Sequence, residues 1–429
     1  MRAPGHVAAA FLLSVAVSSA ADRAAIRAAS EAARTAHGKK DWPAMLRESQ
    51  KVAALLPQSA TALYNLACAQ SLAGRKAEAL ASLNRLADYG VRFDLAAEAD
   101  FAPIRNSPEF EAVLGRMQAV TNPLGSSAPA FTLPQRDLLP EGIAHDPQTG
   151  AFFVSSVHRR KVLRVAPDAT VTDFVPEGQD GLLSAMALAA DPNRRSLYVW
   201  SEGKAQTKGL GKDGQGRSEV LEFDLDSARL RRRLSPAVAG GGAGDLTVGP
   251  DGSLFVADPR TGRVDMLRPG KDALEVLVEA GPLLSPQGMA VSSDRRVLFV
   301  ADYAQGVARV DLETREVAFL PAPESVLVTG IDGLVRAGDS LVAIQNGLPP
   351  HRVARLRMDP AGTRIMSGEI LERASPHFDE PTLGVLVGSD LYYVANSQYE
   401  AFDKDGRPDE ARLKNPVILK LRLQWVEGR

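Results

Sequence analysis

The chain has 429 residues, 24% charged and 45% hydrophobic, and its 50 Lys and Arg against 52 Asp and Glu leave a formal net charge of -2. This length suits two domains rather than one, and the near-neutral balance excludes the basic footprint of a nucleic-acid binder or of a protein held on an anionic membrane. A single cysteine, Cys68, excludes an intrachain disulfide framework.

The first element is a leader. Met1-Arg-Ala-Pro-Gly-His precedes an apolar run over 7–17, and Ser18-Ser-Ala-Ala21 follows it. A charged start, an apolar centre and small residues at a cleavage point make a secretory signal. The run is too short to span a bilayer. Cleavage after Ala20 or Ala21 is expected, with export to the periplasm or beyond and no membrane span in the mature chain.

Residues 22–118 carry apolar residues at helical spacing in an Ala-, Leu-, Glu- and Arg-rich background. Cys68 falls in one of these stretches, where a thiol packs as a small hydrophobe. The passage from Lys39 (KKDWPAMLRES) matches that from Arg75 (RKAEALASL), and Ala62-Leu-Tyr-Asn-Leu-Ala-Cys-Ala runs between them to Gly74. This resembles a tetratricopeptide array of about two repeats, fewer than the three or so a free-standing solenoid needs. The helical domain is therefore expected to lean on the rest of the chain, as a structural cap or as a docking site for a protein or peptide. Residues 119–129, rich in Pro, Gly and Ser, read as a linker.

From Pro140 one phrase recurs six times: an apolar strand, a tight turn and a second apolar strand. The copies begin at Gly142, Met186, Asp245, Gly288, Gly333 and Leu383, and two of them share Leu-Phe-Val-Ala-Asp, at Leu254 and Leu298. A β-rich repeat of about 40–50 residues is the mark of propeller blades. Residues 130–429 are thus predicted to form six blades. The last supplies only three strands, ending with 416–423, so 130–133 is expected to pair with it and close the ring. The fold class is α+β multidomain: a small all-α tetratricopeptide-like domain followed by an all-β six-bladed propeller.

In such a ring the starts of the inner strands share one face, here called the top, with the loops between second and third strands. The bottom turns, such as Asp146-Pro-Gln-Thr-Gly150, are short hairpin turns. The top loops differ, with long insertions at 201–217 and 396–410 that suit lids or plain solvated loops. The Gly-rich 208–216 lacks the Lys-Ser/Thr ending of a phosphate loop. Counting back from each inner strand puts Glu141, Ala185 or Met186, Gly244, Gln287, Asp332 and Thr382 on the axis, with Asp245 one step further. Carboxylates that face one axis repel unless a cation or proton lies between them. Oxygen donors of this kind suit Ca²⁺, and water filling the tunnel is the alternative.

Pro140-Glu-Gly-Ile-Ala, Pro286-Gln-Gly-Met-Ala-Val-Ser, Leu298-Phe-Val-Ala-Asp-Tyr and Gly330-Ile-Asp-Gly-Leu resemble the senescence-marker-protein/gluconolactonase family. The resemblance covers about 130–425 and implies a six-bladed propeller that hydrolyses lactones or esters with Ca²⁺. It implies Glu141, Gln287 and Asp332 as metal ligands, with Asp332 also beside the reacting water. Where the family has Asn-Gly in blade 4 this chain has Gln287-Gly288, and Gly244-Asp245 stands where blade 3 has Asn-Asp. Asp332, His158 and His351 are the candidate bases on the top face. Asp245, Asp302, Tyr303, Asn346 and Asn396 are candidates for binding substrate, with Asp302 equally suited to accepting backbone hydrogen bonds in its turn. No Gly-x-Ser-x-Gly elbow, His-Glu-x-x-His or dinucleotide fingerprint is present. The expected activity is hydrolysis of a small lactone or ester; a non-catalytic binding propeller with a partner-docking helical domain is the alternative.

Overall fold

A computed structural model describes residues 23–424 apart from 212, 213 and 243. The leader therefore lies outside the described residues. Among those residues no helix is long and apolar enough to cross a membrane.

Five helices come first: α1 (Arg23–Gly38), α2 (Trp42–Leu55), α3 (Ala60–Leu72), α4 (Lys76–Asp88) and α5 (Pro108–Ala119). Local chemistry sets their ends. Asp41 and Ser59 accept from the backbone N–H groups of Ala44 and Ala62, and Ser107 accepts from Phe110 N–H at the start of α5. Gly74, at φ +74°, turns the chain out of α3. The helices close over Leu83, Leu86, Phe101 and Phe110, all fully buried. Two residues of the β region, Leu327 and Leu348, also pack into this core. The helical region is thus completed by residues of the propeller.

Six four-stranded antiparallel sheets follow. Their inner strands are Ile143–Asp146, Ser184–Asp191, Leu246–Val248, Pro286–Val291, Ile331–Ala337 and Gly384–Val387, for blades 1 to 6 in that order. Every residue of the second strands Leu254–Asp258 and Val297–Asp302 is buried, since each blade is covered on both faces by its neighbours. Strand Ala128–Thr132 pairs with Val417–Arg422 on the outside of blade 6, joining the two ends of the β region in one sheet. It starts two residues before the expected 130. Pro129 fits there because an outermost strand has one side free of ladder bonds. The segment before it is not a loose tether: Leu124 and Arg373 exchange both backbone bonds (3.1 and 2.9 Å), and Ser127 donates to Glu372. The basic run Arg231–Arg232–Arg233 lies on the outermost strand of blade 2, paired with Asp224, Glu222 and Glu219.

The blades meet closely at the axis where a glycine follows the axial residue, as it does in blades 1, 4 and 5. A Cβ on Gly142 would stand 2.7 Å from Met186 O, and one on Gly333 2.7 Å from Thr382 O. One on Gly288 would be 2.4 Å from Leu334 N and 2.6 Å from Asp332 O. These partners are backbone atoms of the next inner strand, which cannot move without opening the ring. Gly288→Ala is expected to destabilise the protein by about 2 kcal/mol or more, whereas Gly38→Ala, with nothing within 4 Å of its Cβ, leaves the urea midpoint within error of the wild type.

Candidate functional site

The top end of the axis gathers three carboxylates. Glu141 precedes the inner strand of blade 1 and is 8% exposed. Its Oε2 accepts from Ser397 Oγ (3.3 Å), and its backbone carbonyl accepts from Thr382 Oγ1 (2.8 Å) and Leu383 N–H (3.4 Å). Thus blade 6 holds Glu141 by both side chain and backbone. Asp332, in the inner strand of blade 5, accepts from Asn346 Nδ2 through Oδ2 (2.6 Å). Asn346 Oδ1 in turn accepts from Tyr303 O–H (2.9 Å). The chain Tyr303–Asn346–Asp332 orients the carboxylate through its Oδ2.

The third carboxylate is Glu380, absent from the sequence-based candidates. It has φ +64°, a left-handed backbone rare for a non-glycine residue. The geometry is fixed by its neighbours, with Ser397 N–H donating to Glu380 O (3.2 Å) and Gln398 N–H to Asp379 O (3.2 Å). Its Oε2 is buried and has no hydrogen-bond partner. Such an atom carries the full desolvation cost unless a ligand, ion or proton meets it.

Burial, and then the charge of Asp332, push Glu141 well above the usual carboxylate range. Burial raises Asp332 to about 6 against the pull of Asn346 and Lys204. Burial and Asp332 raise Glu380 to about 7. Lys204, half-buried in the long top loop of blade 2, is the cation that acts on both Glu141 and Asp332. Burial and the adjoining carboxylates keep Tyr303 and Tyr399 protonated.

The other candidates fall elsewhere or are engaged. Asp245 borders a separate cavity of about 340 Å³ that runs between the inner strands toward the opposite face. Its oxygens accept from Leu246 N–H (2.8 Å) and Met289 N–H (3.2 Å), stitching blade 3 to blade 4, and burial raises it to about 7. Asp302 is fully buried and accepts from four backbone N–H groups, those of Leu284, Ser285, Ala304 and Gln305, so its carboxylate belongs to its turn. Asn396 ties its loop through Asn415 O and Val417 N–H. The ring of His158 meets the Gln206 carbonyl through Nδ1 (2.7 Å), lies 4.0 Å from Asp137 through Nε2, and packs on Phe402. It braces three top loops. His351 accepts at its backbone carbonyl from Ala374 N–H (3.1 Å), and burial lowers the pKa of its ring against the pull of Asp379 and Glu400.

Gln287 and Gly244 form a pair. The Gln287 carboxamide oxygen lies 2.9 Å from where a Cβ on Gly244 would stand, and its Nε2 faces Ser285 Oγ at 3.4 Å. The longer side chain in blade 4 fills the room that blade 3 leaves empty.

Among the described residues no three His, Cys, Asp or Glu side chains are gathered closely enough to hold a metal ion. The donor chemistry nonetheless suits a hard divalent cation. Glu141 and Asp332 are buried, mutually repelling and all-oxygen, and the unpartnered Glu380 oxygen lies in the same cluster.

Glu380 escaped the sequence reading because the axial position of blade 6 was counted back from its inner strand to Thr382. Only the left-handed turn at Glu380-Pro381 brings the earlier residue inward. Lys204 and Tyr399 sit in the two long top insertions, whose length was legible but whose path was not.

A comparison with protein-family models found no match, and neither did one with curated proteins. Solved structures do resemble the chain. A gluconolactonase from Xanthomonas campestris is 16% identical, with 71% of this chain and 99% of that one covered at a TM-score of 0.47. The calcium-binding protein regucalcin from Agrobacterium tumefaciens is also 16% identical, with 69% and 96% covered at 0.48. The aldose sugar dehydrogenase of Streptomyces coelicolor, solved with PQQ, is 16% identical, with 69% and 98% covered at 0.44. These likenesses concern the six-bladed scaffold, and proteins of such different chemistry do not select an activity.

Because Glu380 is raised in the folded protein, the native state holds its proton more tightly than the unfolded chain does. The stability this contributes is present below about pH 4–5 and lost as the pH rises through about 7. In EDTA, Glu380→Gln is therefore expected to melt with the wild type at pH 5 and about 2–4 °C above it at pH 8. Equal melting temperatures at both pH values would show that Glu380 carries no such burden.

Proposed function

We propose that the carboxylate cluster at the top of the axis binds and hydrolyses a small lactone or ester. The observation that carries this reading is the cluster of Glu141, Asp332 and Glu380: buried, raised in pKa, and with one carboxylate oxygen left unpartnered. Perturbed carboxylates of this kind, gathered from different blades, are suited to acid–base work. Asp332, steadied by Asn346, takes a proton from the attacking water as the new C–O bond forms. Lys204 supplies positive charge for the oxygen that becomes anionic. The leaving oxygen takes its proton from the carboxyl of Glu380 as the acyl C–O bond breaks, and product release restores both carboxyl groups by exchange with solvent. Glu141 and Asp332 are the residues that would hold Ca²⁺, which when bound polarises a carbonyl oxygen. The leader at 1–21, and with it a periplasmic or secreted location, belongs to the same reading.

A second reading is a non-catalytic propeller whose tetratricopeptide-like helical region docks a protein or peptide. One observation favours it: a cleft of about 280 Å³ between α1, α2 and α3, lined by Arg34, His37, Tyr64 and Asn65 among others.

Two measurements separate these readings. Millimolar CaCl₂ is expected to raise the melting temperature over EDTA, by about 2.7 kcal/mol of stability at a hundredfold excess over Kd, and Glu141→Gln and Asp332→Asn are expected to lose the rise. Screening of lactones and esters with a pH indicator should then find turnover that Asp332→Asn lowers by about 100-fold or more in kcat/KM. No calcium response and no turnover would sink the hydrolase and leave the binding propeller.

A further inference from the structure

The helical region touches the propeller at the loops that build the site. The blade-5 loop between strands Ser340–Gln345 and Arg352–Met358 carries Asn346 at one end and Leu348-Pro349 in its middle. Leu348 packs into the helical core. Pro349 O accepts from Arg92 N–H at 2.7 Å, just beyond α4. At the end of the loop Arg352, 3% exposed, donates to Tyr89 O (2.6 Å) and Gly90 O (3.2 Å), the carbonyls that follow α4. A buried guanidinium at a helix C-terminus meets both the open carbonyls and the negative end of the dipole.

Arg352 also grips the propeller. Its Nε donates to Gln345 Oε1 (2.9 Å), and Gln345 Nε2 donates to Leu327 O (3.2 Å) and Thr329 O (2.9 Å). Leu327 lies in the helical core, and Thr329 Oγ1 donates to Gln58 O, between α2 and α3, at 3.4 Å. This second strand of contacts fixes the segment that leads into Asp332. The two segments are locked to each other where Gly347 N–H donates to Gly330 O (3.2 Å), an approach that leaves no room for a Cβ on either glycine.

We infer that the helical region is a positioning element of the axial site: through Leu348, Arg352 and Gln345 it holds the loop that presents Asn346 to Asp332. Its role in activity rests on the hydrolase reading; its role in ordering the site does not. The alternative is two bodies that share a surface, in which loosening the contact would leave the axis unchanged.

The test is hydrogen–deuterium exchange of the full chain, comparing wild type with Leu348→Ala, with Arg352→Lys, and with Phe153→Leu, a core change in distant blade 1. Leu348→Ala is expected to speed exchange in peptides over 328–347 by roughly 10-fold or more, with blades 1 to 3 unchanged. Arg352→Lys, which keeps the charge but not the fork of donors, should give a smaller increase in the same peptides. Phe153→Leu should leave them at the wild-type rate. Where turnover is available, Leu348→Ala should lower kcat by roughly 10-fold with KM within about 2-fold, as expected of a misplaced group. Unchanged exchange over 328–347, or an equal increase in Phe153→Leu, would overturn the inference whether or not a substrate is known. Absence of turnover in the wild type with the exchange result intact would overturn only the hydrolase reading.

Discussion

Backbone meets backbone at the top of the axis, and most else about this protein follows from that contact. Gly142, Gly288 and Gly333 each lie against the inner strand of the next blade, at separations from which a Cβ is excluded. Because the strands approach so closely, the residue just before each glycine has nowhere to go but inward. This rule sets the positions of Glu141, Gln287 and Asp332, and contacts of their own then fix how Glu141 and Asp332 are oriented. Blade 6 closes the ring differently, with Thr382 and Leu383 hydrogen-bonded to the carbonyl of Glu141.

Convergence has an electrostatic cost. Burial in a ring of β-sheet removes the water that would screen Glu141 and Asp332, and Glu380 adds a third like charge. A purely structural axis would gain by replacing these groups with apolar ones of similar volume. The propeller instead surrounds them with devices that hold charge in place: Ser397 on Glu141, the Tyr303–Asn346 pair on Asp332, and a left-handed backbone at Glu380. Strain and unpaired polar atoms of this kind persist where the surroundings over-determine them, and they cluster at functional sites.

The blades were legible because their apolar phrase recurs, and closure was legible because blade 6 lacked a strand. Glu141 and Asp332 could be read as axial by counting back along their inner strands, since each lies within two residues of its strand's start. The same counting failed at Glu380, where a left-handed turn before Pro381 replaces the regular entry, and such a turn leaves no periodic trace. Asp302 shows the converse. Its place at a strand end on the top face suggested a binding role, yet four backbone donors consume it. Sequence position gives the face of a side chain but not what the chain beyond it will ask of that side chain. Long-range partners such as Ser397 for Glu141, or Tyr89 for Arg352, are invisible until the loops have paths.

Gly244 and Gln287 carry the argument one step further. Taken singly, one offers the axis no side chain and the other offers a long carboxamide. In the folded ring they belong together, since the carboxamide of Gln287 occupies the space that a side chain at Gly244 would need. The amide thus leans sideways toward blade 3. The oxygen donors left facing the centre are then mainly carboxylates, with Glu380 coming in from blade 6. Buried carboxylates that face one another in this way call for a cation or a proton between them. Lys204 answers part of that demand from the blade-2 loop, and the buried Oε2 of Glu380 is left without a hydrogen-bond partner among the described residues.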